Sequence, residues 1–242
     1  MLIDANTSFG LSASDNTDYS VSRLLSVLDR HGVDHALTYS RRGRDYDFVT
    51  GNDETVATCR AHPQLWPVAA IDPRRLIGCR EEVTRCADLG CVAFRFFPDA
   101  QGWPVVFQPF LDLCEAIAEV GLPIILPAGP PGQQTAIGER LAPYGVNILV
   151  VGSGYWSNAE TAAVMARHPN VFAECHVVNT PGTIETMGRH ADFGQLVFGS
   201  NSPATAFEPP HLMGLHADLT PEQRAGFFGG NVLRFLGREA TP

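Results

Sequence analysis

The sequence predicts an α/β protein that forms a single (β/α)8 TIM barrel. Short β-branched or apolar runs alternate with amphipathic stretches along the whole chain, and eight such strand–helix pairs are present. The length of 242 residues also suits this fold, which typically needs about 250. We therefore expect one domain over residues 1–242, with a doubly wound open sheet as the weaker alternative.

The first half of the chain supplies four of these pairs. The predicted strands are MLIDAN, DHALTYS, LWPVAAIDP and CVAFRFFP, and the helices that follow them are VSRLLSVLDRHG, NDETVATCRAH, LIGCREEVTRCADLG and VFQPFLDLCEAIAEVG. Gly32, Gly90 and Gly121 stand where helix C-caps belong. A loop, RRGRDYDFVTG, is predicted between the second strand and its helix.

The second half supplies the other four pairs. Its predicted strands are PIILPAG, VNILVVGS, NVFAECHVV and QLVFGSNSP, followed by helices over QQTAIGERLAP, NAETAAVMARHP, PGTIETMGRHA and TPEQRAGFFGGNVLRFLG. Thr220, Pro221 and Glu222 are typical of a helix N-terminus. A second long loop, NSPATAFEPPHLMGLHADLT, follows the eighth strand. Both long loops follow strands, so we expect them at the C-terminal face, where barrel enzymes keep their active sites.

Composition excludes several function classes. The net charge is -9, and all 17 basic residues are arginine. The absence of lysine rules out Schiff-base catalysis and a carbamylated lysine between two metals. The acidic balance argues against a nucleic-acid partner, and no apolar run approaches the roughly 18 residues of a membrane-spanning helix. We expect a cytoplasmic protein whose six cysteines are reduced.

Eight stretches, in order, carry a resemblance to a known family: IDANTSFG, NDETVATCRAHPQLWPVAAIDPR, GCVAFRFFPDAQGW, LPIILPAG, NILVVGSG, HPNVFAECH, QLVFGSNSP and GGNVLRFLG. Together they resemble the amidohydrolase-related proteins of the metal-dependent hydrolase superfamily, which are barrels that include hydrolases, lactonases and decarboxylases. The resemblance covers nearly the whole chain and implies the same fold. It also implies an oligomer, since barrels of this family are commonly oligomeric.

The resemblance further implies where metal ligands should stand, and this chain has other residues there. Asn6 and Ser8 replace the two histidines of the first strand, Pro127 and Ser153 replace those of the fifth and sixth, and Asn201 replaces the aspartate of the eighth. Neutral amides and hydroxyls are poor zinc ligands. Asn201 also lacks the carboxylate that would take a proton from a nucleophilic water. We therefore expect that the family metal is absent and that the protein has no cofactor.

Strand alternation predicts which side chains point into the barrel mouth. They are Asp4, Asn6, Ser8, Arg95, Ser153, Glu174, His176 and Asn201. Arg95 either binds a substrate carboxylate or pairs with Glu174 or Asp4, and pairing is the favoured interpretation. His176, on the same face as Glu174, is either an oriented general base or a residue that fills the lumen, and the second is favoured. Cys175 faces the other way.

The favoured hypothesis is a catalytically degenerate barrel, a pseudoenzyme. It would act as a non-catalytic partner or small-ligand-binding subunit, as a homo-oligomer or with an intact relative. The alternative is a metal-independent lyase or hydrolase acting on a small carboxylate or carbonyl substrate through His176, Glu174 and Arg95. A third, weaker option retains metal-dependent hydrolysis through His176, Glu174 and Asp4.

Three further segments allow less specific predictions. His211 and His216 are interpreted as loop residues. The run RRGRDYD is a solvated loop, a subunit contact or an anion-binding loop. The stretches FEPPHLMGL and FFPDAQGWP are expected to expose Met213, Trp103 and phenylalanines, as a lid over a ligand or as an interface patch.

Overall fold

The computed structural model describes residues 1–13, 15–75 and 77–238 and shows a barrel of parallel strands. The strands are β1 (Ile3–Phe9), β2 (His35–Ser40), β3 (Leu65–Ala70), β4 (Ala93–Arg95), β5 (Ile124–Pro127), β6 (Ile148–Val151), β7 (Val171–Glu174) and β8 (Leu196–Val197). They follow the chain in the order β1 to β8. The Ala5 amide donates to the Phe198 carbonyl (3.0 Å) and the Ser8 amide to the Ser202 carbonyl (3.1 Å). These bonds close β8 onto β1, so the predicted barrel is confirmed and the open sheet is wrong.

Helices follow the strands and form the outer layer. They are α1 (Val21–His31), α2 (Arg41–Asp45), α3 (Phe48–Ala61), α4 (Cys79–Asp88), α5 (Pro98–Gln101), α6 (Gln108–Val120), α7 (Gln133–Arg140), α8 (Asn158–Arg167), α9 (Thr183–His190), α10 (Glu208–His216), α11 (Pro221–Ala225) and α12 (Asn231–Phe235). A π-helical turn, Gly226–Gly230, joins α11 to α12. Gly32 and Gly121 end α1 and α6 in the left-handed conformation, as predicted. Thr220 caps α11 by accepting from the Gln223 amide, also as predicted.

The alternation of strand residues divides the apolar side chains into two layers. One cluster fills the barrel with side chains such as Leu37, Ile125 and Phe172, and Phe235 of α12 packs at its N-terminal end. The other cluster lies between strands and helices. Burial of both layers provides the main driving force for this fold. Because the lumen is packed with apolar side chains, only its C-terminal mouth can hold polar chemistry.

Two segments predicted as loops contain helices. RRGRDYDFVTG forms α2 and the start of α3, because Ser40 and Asp47 cap these helices through the amides of Arg42 and Val49. The loop after β8 contains α10, which carries His211 and His216. The prediction that both histidines are loop residues is therefore wrong.

The predicted exposed aromatic patch is also wrong in most of its members. Trp103, Phe97 and Phe207 are buried, with 6%, 7% and 2% of their surface exposed. Trp103 packs with Phe96 and Phe110, and Phe207 packs with Phe198. These aromatic rings therefore stabilise the packing of helices on the barrel and offer no lid surface.

Two further findings concern the whole described chain. Within residues 1–13, 15–75 and 77–238, no helix has both the length and the apolar character that crossing a membrane would require. All six cysteines are free and buried, in agreement with the prediction that they are reduced core residues.

Candidate functional site

Four polar side chains meet at the C-terminal mouth of the barrel. Asn6 of β1 donates from Nδ2 to Glu174 Oε2 of β7 (3.1 Å), and Arg95 of β4 donates from Nη1 to Asn6 Oδ1 (2.8 Å). Glu174 Oε2 lies 2.8 Å from His176 Nδ1. These four residues, called the mouth cluster below, form one hydrogen-bonded chain that joins three strands. All four were predicted to lie in the barrel mouth.

Glu174 and His176 form a closely coupled pair. The fully buried Glu174 carboxylate also accepts from the amides of His176 (2.5 Å) and Gly152 (3.1 Å). Burial acts to raise the pKa of Glu174, but the charge and hydrogen bonds of His176 outweigh it and hold that pKa below its usual range. Burial acts to lower the pKa of His176, but Glu174 outweighs burial and raises it. Nε2 of His176 has no hydrogen-bond partner in the described part of the chain, so it is open to a ligand.

Arg95 is a buried cation, with 8% of its surface exposed. Its guanidinium lies over the rings of Tyr39 (4.8 Å to the centroid) and Phe97 (5.6 Å). Among the described residues, no carboxylate lies within 4.0 Å of it, and its hydrogen bond goes to the neutral Asn6 amide. Burial lowers the pKa of Arg95. The favoured sequence-based interpretation, an ion pair with Glu174 or Asp4, is therefore wrong.

Asp4 lies beside the mouth cluster rather than in it. Its carboxylate accepts from the Asn6 amide (3.0 Å), the Ser200 amide (2.9 Å) and Ser200 Oγ (2.5 Å). The pairing of β1 with β2 shifts register between Asp4 and Thr7, so the prediction that Asp4, Asn6 and Ser8 share a face is wrong. Burial raises the pKa of Asp4 to about 7, and the charge of Glu174 acts in the same direction.

The remaining predicted mouth residues differ in their surroundings. The Ser8 hydroxyl is buried and has no hydrogen-bond partner in the described chain. Ser153 Oγ lies 2.5 Å from Thr161 Oγ1 of α8, which donates to Gln134 of α7. The placement of Ser153 in the barrel mouth is therefore wrong. Asn201 follows β8 with a φ of 58°, and its side chain makes no hydrogen bond to the described residues.

Gly199, which sequence reasoning missed, makes room for the mouth cluster. A Cβ at this position would lie 2.5 Å from Glu174 Cγ and 2.9 Å from Asn6 Cβ. Ordinary carbon–carbon contacts are about 3.5–4.0 Å. Glu174 and Asn6 can therefore approach each other only because residue 199 has no side chain. The signal in the sequence was a glycine at the end of an apolar strand.

A cavity of about 390 Å³ opens beside the mouth cluster. It is lined by residues that follow β5, β6 and β7, including the exposed Tyr155, Trp156 and Val177. Gly152 separates it from the His176 ring, since a Cβ on Gly152 would lie 3.2 Å from His176 Cε1. A larger cavity, of about 520 Å³, lies between α8 and α9. Neither cavity is lined by a residue of the mouth cluster, but the smaller one is lined by Gly152, whose amide donates to Glu174.

The side chains of the mouth do not fit a divalent metal ion. Within residues 1–13, 15–75 and 77–238, no group of three or more His, Cys, Asp or Glu side chains is placed to hold one. Pro127 offers no side-chain donor, the Ser153 hydroxyl is bonded to Thr161, and the Asn6 oxygen accepts from Arg95. Most positions where the family resemblance implies ligands are thus chemically unsuited or already engaged.

Comparisons with known proteins agree with the fold. The family model described as Amidohydrolase matches residues 14–238. No curated protein sequence matches the chain. Similar solved structures include 5-carboxyvanillate decarboxylase from Novosphingobium aromaticivorans, complexed with manganese and a nitrobenzoic acid (TM-score 0.77, 14% identity, covering 98% of this chain and 96% of that chain).

Two further similar structures have comparable coverage. One is 2,6-dihydroxybenzoate decarboxylase from Rhizobium (TM-score 0.71, 15% identity, 98% of both chains). The other is a probable 2-pyrone-4,6-dicarboxylic acid hydrolase from Acinetobacter baumannii with citric acid bound (TM-score 0.72, 13% identity, 98% and 99%). At these identities the likeness shows the fold alone.

Proposed function

Since the chain belongs to the amidohydrolase family, whose model spans residues 14–238, we propose that it is a member that works without the family metal. In this proposal it is a non-catalytic, small-ligand-binding subunit whose barrel mouth binds a small carboxylate. The observation that carries the proposal is Arg95, a guanidinium at the mouth that is 8% exposed and has no carboxylate within 4.0 Å among the described residues.

The surroundings of Arg95 favour an anionic ligand. A buried charge is costly unless it is paired, and the guanidinium has a planar set of donors that matches a carboxylate. The charges of Arg44 and Arg41 act to lower the pKa of Arg95, so they add positive potential at the same place. Glu174 acts on Arg95 only across Asn6, so a small carboxylate would supply the directly contacting counter-charge that the described residues do not.

The known relatives support the same class of ligand. The decarboxylase from Novosphingobium aromaticivorans was solved with a nitrobenzoic acid, and the probable hydrolase from Acinetobacter baumannii with citric acid. Both molecules carry carboxyl groups. The manganese of the first structure has no counterpart among the donors of this barrel mouth, which supports the metal-free part of the proposal.

The test of the proposal combines metal analysis with ligand binding. We expect bound zinc, manganese, iron and nickel to be near zero in protein purified without chelator, as measured by inductively coupled plasma mass spectrometry. Benzoate and citrate are the probes for isothermal titration calorimetry. Arg95→Met should weaken binding of the preferred probe by at least about tenfold, whereas Arg80→Met, which removes a surface arginine paired with Glu119, should not.

Any one of three results would refute the proposal. Stoichiometric metal in the wild-type protein would return attention to metal-dependent hydrolysis, with His176, Glu174 and Asp4 as candidate ligands. Failure of both benzoate and citrate to bind, or equal binding by wild type and Arg95→Met, would remove the carboxylate site.

The pairing of His176 with Glu174 favours a second candidate function, a metal-independent lyase or hydrolase. A carboxylate on Nδ1 orients the ring and leaves Nε2 without a partner among the described residues, the arrangement of a general acid or base. The test is turnover of dihydroxybenzoates in the presence of chelator, measured as released carbon dioxide. Loss of that turnover in His176→Gln would support catalysis by His176. If the wild-type protein releases no carbon dioxide, this second function is refuted and only ligand binding remains proposed.

The assembly of the protein is a separate proposal. We propose that the barrel forms a homo-oligomer or a hetero-oligomer with an intact relative, on the ground that barrels which this chain resembles are commonly oligomeric. Light scattering after size-exclusion chromatography measures the mass of the purified chain, for which 26.2 kDa is the value of a monomer. A monomer that also fails to bind a co-expressed relative would contradict the proposal.

A further inference from the structure

We propose that Arg95 is the resident cation of the barrel mouth, in the place where the family resemblance implies a metal ion, and that Asn6 is the positioning residue that fixes Arg95 relative to Glu174. This inference rests on the metal-free part of the proposed function and is independent of the identity of the ligand. It assigns a reason to the amide at residue 6, which the loss of a histidine does not by itself explain.

The buried carboxylate of Glu174 requires positive charge nearby. It is fully buried, and its two oxygens accept hydrogen bonds from Asn6 Nδ2 and from the amides of Gly152 and His176. His176 provides one partner at 2.8 Å. Arg95 provides the permanent charge, because a guanidinium stays protonated in proteins. The charge of Glu174 in turn acts to raise the pKa of Arg95, so the two groups stabilise each other electrostatically without touching.

Asn6 is suited to the position between them because an amide has an acceptor at one end and donors at the other. Its Oδ1 accepts from Arg95 (2.8 Å) and its Nδ2 donates to Glu174 (3.1 Å). An aspartate here would place a second carboxylate beside Glu174, and a histidine would remove the oxygen that holds Arg95. Gly199 keeps the space that lets Asn6 and Glu174 approach. The arrangement is therefore built around the cation.

This arrangement also opposes a divalent cation. A metal ion in the mouth would face the Arg95 guanidinium in a buried environment, where repulsion between like charges is strong. Asn6 Oδ1 already accepts from Arg95, and Glu174 Oε2 already accepts from Asn6. Histidines restored at the positions that the family resemblance implies would therefore still bind a metal ion poorly, because the charge of Arg95 would repel it.

The experiment is a double-mutant cycle between charge and counter-charge, carried out on the full chain. Wild type, Arg95→Met, Glu174→Gln and the double variant are unfolded in urea with chelator present. Methionine keeps an apolar stem against Tyr39 and Phe97 while removing the charge. Each single variant should raise the unfolding constant, because it leaves the other charge without its partner. In the double variant the constant should be lower, by about fivefold or more, than the product of the two single fold-changes predicts. Additive effects would overturn the inference.

A second comparison covers the case in which Arg95→Met does not fold. Arg95→Lys keeps the positive charge, so it should remain folded and retain most of the wild-type melting temperature. A loss as large as that caused by methionine, or failure of both variants to fold, would show that shape rather than charge matters at residue 95 and would overturn the inference. Bound metal in the wild type would instead refute the proposed function, and metal analysis detects that separately.

Discussion

Gly199→Ala gives a direct test of how tightly the mouth cluster is packed. The new Cβ would lie 2.5 Å from Glu174 Cγ, 2.8 Å from Glu174 Cδ and 2.9 Å from Asn6 Cβ, about 1 Å closer than ordinary contacts. Glu174 cannot simply swing away, because four hydrogen bonds hold its carboxylate. Overpacking of this kind costs about 1–3 kcal/mol. For a chain of this length, that lowers the melting temperature by about 2–12 °C.

The assay is thermal unfolding followed by circular dichroism, with Gly230→Ala as the matched control. Gly230 has helical backbone angles, and its nearest neighbour to a new Cβ, the Ala225 carbonyl oxygen, lies at 3.8 Å. Alanine should therefore be neutral or stabilising at residue 230, by up to about 1 kcal/mol. An unchanged melting temperature in Gly199→Ala would refute the packing argument and, with it, the reason given for a glycine at this position.

Three other variants test separate features. Burial raises the pKa of Asp4 from 3.8 to about 7, so the protonated Asp4 side chain stabilises the fold fully below about pH 4, and this stabilisation is lost as pH rises through 7. The melting temperature of Asp4→Asn minus that of wild type should therefore increase from pH 4 to 8. A constant difference would contradict this. Asn201 has a φ of 58°, so Asn201→Gly should match or exceed wild-type stability in calorimetry, whereas Asn201→Val should lose about 1–2 kcal/mol; the reverse order would count against backbone strain. Glu160 accepts from the amides of Gly132 (3.0 Å) and Thr135 (2.7 Å) at the start of α7, so Glu160→Ala should cost about 1 kcal/mol in urea unfolding, and a smaller loss than in Glu160→Gln would contradict the capping role.

The barrel could be predicted because its signals are repeated. Strand and helix periodicities alternate eight times, and an error in one pair leaves the others intact. The two helices that were predicted as loops have weak signals. α2 is short and arginine-rich, and α10 begins after a proline-rich run. Their caps and their packing against the barrel decide the structure, and neither is visible in local composition.

The site could be predicted only where the strands are regular. Arg95 and Glu174 end β4 and β7, so alternation placed them correctly. Asp4 was misplaced because β1 shifts register after it. Ser153 was misplaced because β6 ends at Val151, beyond which alternation no longer fixes direction. Gly199 was missed because its contribution is space rather than a chemical group.

The buried charges of the mouth cluster bear on whether the site is merely degenerate. Replacing a buried ion pair by apolar residues of similar volume is often neutral or stabilising. Arg95 and Glu174 are held apart by Asn6 and lack even the direct contact of such a pair, so a barrel mouth without a ligand would fold at least as well with apolar side chains in their place. The two charges instead sit in a network that leaves the remaining guanidinium donors of Arg95 and Nε2 of His176 without partners among the described residues. A bound carboxylate would accept hydrogen bonds from these guanidinium donors. Carboxylate binding is therefore a more specific explanation of the mouth cluster than loss of function.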